Sequence, residues 1–109
     1  MNESPDFASI YLRGIQNFES LDPASRLRFG AYLLRAFRFW DGIHFHYMDD
    51  AMPKQHWQSV RRQIQDIVVY PGVQAWWETR KHWYTEEFNG LVAAIIKDAP
   101  RSNAYETYE

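Results

Sequence analysis

The sequence predicts an all-α fold, a single helical bundle of about five helices around a long central helix. Three observations carry this. Apolar residues recur at spacings of three and four, and alternation never persists over a strand-length run. Between Pro23 and Pro53 the only interruptions of the helical pattern are Gly30 and Gly42, leaving room for one long helix. The connecting segments are short, which sets neighbouring helices antiparallel.

Ser4-Pro5 has the form of an N-cap followed by proline at the first helical position. Phe7, Ile10, Tyr11, Gly14, Ile15 and Phe18 then form one stripe, and this helix is expected to end between Asn17 and Ser20. Asp22-Pro23 repeats the start signal. The central helix is expected over residues 23 to about 48, with Phe29, Leu33, Ala36, Trp40, Ile43 and Tyr47 as a heptad-like inner seam. Tyr32, Leu34, Phe37, Phe39 and Met48 widen that seam, and an apolar sector this broad places the helix at the centre of the bundle.

Asp49, Asp50 and Pro53 mark the turn into a third helix whose inner face carries Trp57, Val60, Ile64, Ile67 and Val68. Tyr70-Pro71-Gly72 is expected to stop it. A short fourth helix is expected to carry Val73, Trp76, Trp77, Arg80 and Tyr84, and Thr85 to cap a fifth with Phe88, Leu91, Val92, Ile95 and Ile96 inward. The helical domain is thus expected over residues 1–98, and residues 99–109, which lack periodicity, as a disordered tail. Gly14, Gly30, Gly42 and Gly90 interrupt helical patterns at about 1 kcal/mol each relative to alanine, so close helix crossings or kinks are expected there.

Composition narrows the function. A 109-residue chain holds one core. Without cysteine there is no disulfide, thiolate metal site or cysteine nucleophile. A net charge of −2 gives no global field toward nucleic acid or an anionic membrane. No apolar run approaches a spanning helix, and MNESPDF lacks the layout of a signal peptide. The expected setting is soluble and cytoplasmic. Five Trp, seven Tyr and seven Phe allow a short chain to bury much area, because each large ring covers about 150–250 Å².

Candidate chemistry is sparse. In DGIHFHYMDD, Asp41 and His44 are three apart, as are His46 and Asp49, but the two histidines lie about 200° apart on a helix. They point away from one another, so no metal site is assigned. Glu78 and His82 read as a surface pair, and His56 as a surface residue. Arg28, Arg35, Arg38 and Arg61-Arg62 read as a solvated basic face, so no nucleic-acid partner is expected. No serine lies in a Gly-x-Ser-x-Gly elbow and no glycine-rich phosphate loop exists, so neither catalytic residue nor cofactor site is assigned. The most misplaced polar residue is Arg80, which a helical wheel puts amid Val73, Trp76, Trp77 and Tyr84. A guanidinium keeps its charge when buried. A structural ion pair with Asp41 is therefore expected, with solvent along the neighbouring rings as the alternative for Arg80 and a hydroxyl or amide for Asp41.

Two stretches, IYLRGIQNFESLDPASRLRFGAYLLRAFRFW and WQSVRRQIQDIVVYPGVQAWWETRKHWYTEEF, resemble the C-terminal helical part of a set of short bacterial proteins of unknown function. The resemblance rests on Gly14-Ile15, Leu21-Asp22-Pro23, Pro71-Gly72, Trp76-Trp77, Arg80 and Tyr84-Phe88, and spans roughly residues 5 to 96. Members of that set often begin with a hydrophobic helix and a linker helix that this chain lacks, which implies membrane association for longer members. They tend to carry Glu where this chain has Asp41, and lack the His44/His46 arrangement. The resemblance implies a fold and no reaction.

The function expected is that of a non-enzymatic helical interaction or self-association domain, with a second copy or another protein as partner and no membrane contact by this chain. Phe39, Phe45 and Trp83, at or beyond the edges of the inner stripes, are the expected contact rings. The alternative is a helical bundle binding a small ligand or cofactor, which a connected internal cavity with converging polar groups would favour.

Overall fold

A computed structural model describes residues 6–98 and 104–106. The all-α bundle is what the chain forms, with no strand among the described residues. Among the described residues five α-helices follow in order: α1 (Phe7–Gln16), α2 (Pro23–Met48), α3 (Lys54–Val68), α4 (Pro71–Arg80) and α5 (Glu86–Asp98). Short 3₁₀ turns at Phe18–Ser20 and Lys81–Trp83 precede α2 and α5.

Helix ends follow local chemistry. Asp6 caps α1 by accepting the Ser9 N–H at 2.9 Å; the Ser4-Pro5 start signal lies outside the described residues. Asp22 and Pro23 open α2 as expected. Its far end closes in a Schellman motif, in which Ala51 N–H reaches the His46 carbonyl at 2.8 Å and Asp50 N–H reaches that of Tyr47 at 3.1 Å. Asp50 takes the left-handed position (φ 57°) that glycine usually fills. α3 ends at Val68, just ahead of Tyr70-Pro71-Gly72 as expected, and Pro71 also opens α4 with Tyr70 as its N-cap, because proline at a first helical position forfeits no hydrogen bond.

The 26-residue α2 spans about 39 Å and is the bundle's axis. Its buried face is Phe29, Leu33, Phe37, Trp40 and His44, rather than the heptad seam through Ala36, Ile43 and Tyr47, which are half-buried. A straight helix of 3.6 residues per turn drifts off a 3.5-residue seam, so the inward stripe steps by four more often than a supercoil would. Phe37 becomes the centre of the core, stacked on Trp77 at 5.0 Å, edge-on to Trp40 at 5.1 Å and tilted against Trp76 at 5.2 Å. Trp40, Trp57 and Trp76 are all buried.

Helices α1 and α4 cross at Gly14 and Gly72. A Cβ on Gly14 would lie 2.7 Å from the Phe29 ring, and one on Gly72 would overlap the Gly14 carbonyl. Gly30 faces the Trp76 indole. Gly42 and Gly90 meet nothing, so close crossing explains only the first two of the four glycines flagged by sequence, together with Gly72 and not Gly42 or Gly90.

Of the C-terminal stretch expected as a disordered tail, residues 104–106 are described, and Tyr105 is half-buried. Its hydroxyl accepts from that of Tyr11 at 3.0 Å, and its backbone N–H donates to the Tyr70 hydroxyl at 3.0 Å. Both partners are buried phenols, whose hydroxyls need a polar contact when removed from water. Burial, reinforced by the Tyr105 hydroxyl, holds the Tyr11 phenol well above its ordinary range.

Candidate functional site

The site is built where the chain turns from α4 into α5 and docks on α2. Three residues of α2 at spacings of four and three take up this turn. The Tyr84 hydroxyl donates to the Leu34 carbonyl at 3.2 Å. Arg38 Nη1 donates to the Trp83 carbonyl at 3.2 Å, and its guanidinium lies 4.5 Å from the centre of the Tyr84 ring. Asp41 accepts the Thr85 N–H at 3.1 Å and the Thr85 hydroxyl at 3.0 Å. Burial pushes the Tyr84 phenol up, against the pull of the Arg38 charge.

Docking at these three points holds Trp83 out from the bundle, 49% exposed. Beside it, α2 leaves Leu27 (76%) and Phe39 (66%) facing outward. Two recesses result, of about 520 and 610 Å³, sharing Leu34 and Trp83 in their walls. Together they form one open apolar groove along α2 from Pro23 to Phe39. Arg26, Arg35, Arg38 and Arg80 stand on its lining, which includes no carboxylate.

A smaller recess of about 210 Å³ continues along α2, lined by Asp41, His44, Phe45, Met48, Thr85 and Glu87 among others. His44 lies 5.1 Å from the Trp57 ring and 6.2 Å from Phe88. Burial pulls its imidazole below the usual value, against the opposing charges of Asp41 and Glu87. His46 is exposed on the other side of α2, so the two histidines diverge as their spacing requires.

The anticipated Asp41–Arg80 ion pair is not formed. Asp41 is buried against Thr85, whereas Arg80 donates to the Thr79 carbonyl at 3.1 Å and covers the Trp83 ring at 5.0 Å. The helical wheel assumed an α-helix continuing through Tyr84, but α4 ends at Arg80 and the chain tightens into a 3₁₀ turn. That change of winding swings Arg80 to the groove and brings Thr85 to Asp41. Sequence reasoning had singled out both Asp41 and Thr85 without joining them. It had named Phe39, Phe45 and Trp83 as outward rings, and all three are exposed. It missed Leu27 and the placement of Arg26 and Arg80 beside it; the signal present was the stripe of Leu27, Ala31, Leu34 and Arg38, spaced four, three and four.

Compared with protein-family models, curated proteins and solved structures, the chain matches none. Among the described residues no helix is long and apolar enough to cross a membrane.

Proposed function

We propose that this chain is a non-enzymatic interaction domain whose contact surface is the open groove along α2. One observation carries the reading: the apolar residues are distributed between a tightly filled interior and a set of exposed side chains, most of them along α2. Phe29, Phe37, Phe88 and nine further side chains are almost wholly inaccessible. Leu27, Phe39 and Trp83 nevertheless remain on the surface around a shared depression. Contiguous exposed apolar area of this kind is the usual mark of a protein contact.

The test is site-specific photo-crosslinking in cells. A benzophenone amino acid at position 39 forms a discrete adduct, either with a second copy or with another protein, and the same probe at Gly90 forms none. Adducts absent at 39, or equal at both positions, defeat the reading.

A small-ligand function is the second reading, favoured by the convergence of Asp41, His44 and Glu87 on the 210 Å³ recess. Native mass spectrometry of the purified chain decides it, since a retained small molecule adds a defined mass.

A further inference from the structure

We infer that the groove along α2 receives an acidic amphipathic helix of a partner protein. This rests on the interaction reading above and adds the chemistry of the partner. The floor is apolar and elongated. Leu27, Ala31, Leu34 and Arg38 follow one another at four, three and four residues, so this edge of the groove runs about 16 Å. That length matches three turns of a helix presenting its own apolar residues at the same spacing.

The rim is cationic and held in place. Arg26 donates through Nε to the Leu21 carbonyl at 2.9 Å and through Nη2 to that of Glu19 at 3.1 Å. Arg38 and Arg80 are each fixed by one backbone carbonyl and one ring face. A guanidinium has five donors, so each of these retains several for a carboxylate while its position is already set. Holding such groups in place beforehand lowers the cost of ordering them on binding. The whole chain carries −2, so this cluster of four arginines is a local feature and not a consequence of overall charge.

The same charges disfavour other occupants. In a two-fold antiparallel pairing of α2 with itself, Arg35 and Arg38, near the middle of the 26-residue helix, would meet their own copies. Like charges so placed oppose association. A nucleic-acid backbone would satisfy the arginines but leave Leu27 and Leu34 facing phosphate and sugar, with nothing gained by their exposure. An acidic helix with an apolar seam satisfies floor and rim together.

The experiment uses the full chain and two fluorescent synthetic helices of about 18 residues, with leucine at the seam. One carries glutamate on both flanks and its twin carries lysine. Fluorescence anisotropy is expected to show the glutamate peptide binding at least tenfold tighter, with the preference shrinking as salt is raised. Arg35→Glu, at an exposed position, weakens the glutamate peptide and strengthens the lysine twin. Leu27→Ser weakens both. Circular dichroism verifies that each variant is folded, and Arg80→Glu serves as a second charge reversal.

Equal affinity for the two peptides, or no binding of the glutamate peptide, overturns the inference. So does a dimer that Arg35→Glu leaves intact and Leu27→Ser dissolves, which would assign the groove to a second copy. Tighter binding of a single-stranded RNA oligomer than of the glutamate peptide overturns it as well. If the crosslink from position 39 forms while the glutamate peptide fails, only the acidic-helix inference falls. If both fail, the interaction reading falls with it.

Discussion

Asp41 caps α5 through Thr85, a residue 44 positions away in sequence. Its two carboxylate oxygens take the Thr85 N–H and hydroxyl at 3.1 and 3.0 Å, and the hydroxyl oxygen in turn accepts the Phe88 N–H at 3.1 Å. A cap made by threonine alone is a local device. Here the cap is relayed to a carboxylate on another helix, so the start of α5 and its docking on α2 are one interaction. The negative charge also stands at the positive end of the α5 dipole.

Asp41→Ala is therefore expected to lower stability by about 1–3 kcal/mol, and Asp41→Asn by less, since the amide keeps one acceptor. Urea unfolding of the single variants, of Thr85→Ala and of the double variant should give a coupling of about 1 kcal/mol between the two positions. Arg80→Met should cost under about 1 kcal/mol, the worth of a partly exposed ring contact. A loss from Arg80→Met equal to that from Asp41→Ala would restore the ion pair.

At the α1–α4 crossing, Gly72→Ala should cost about 3 kcal/mol or more, because its methyl group meets backbone that cannot turn aside. Gly90→Ala, on open helix surface, should stabilise by up to about 1 kcal/mol. Thermal melts of the two variants test the contrast; similar shifts would contradict the crossing.

His44 links the fold to pH. Its folded value lies below the usual 6.5, chiefly through burial. Between those values the unfolded chain binds the proton more readily, so stability falls as pH is lowered from neutrality toward the folded value. Asp41 and Glu87, which pull the imidazole up, limit the effect. Urea midpoints from about pH 7.5 to about pH 5 should decline, and His44→Gln should remove part of that decline. An unchanged slope in His44→Gln would assign the pH dependence elsewhere.

Tyr105 fastens the C-terminal stretch to the body. Tyr105→Phe should cost about 0.5–1.5 kcal/mol by stripping the Tyr11 hydroxyl of its partner. Tyr105→Ala should cost more, and urea unfolding of the two variants ranks them. Equal stability of the wild type and Tyr105→Ala would mean that the contacts of Tyr105 with Tyr11 and Tyr70 contribute nothing.

What the sequence alone determined is local. Helix starts at Asp22-Pro23 and Thr85, the long span of α2 and the inward tryptophans all follow from capping and periodicity, which act within a few residues. Which side of α2 is innermost was not so determined, because Phe37 and Ala36 differ by 100° and only the rings arriving from α4 and α5 choose between them. The same holds for the partner of Asp41. Arg80 and Thr85 are five residues apart, and a single 3₁₀ turn decides which of them reaches the carboxylate. The groove depends on that decision too: its floor is written in the α2 stripe, but its far wall exists only because the docked turn holds Trp83 and Arg80 outward. Spacing along a helix is a property of the chain, whereas the apposition of two helices is a property of everything packed between them.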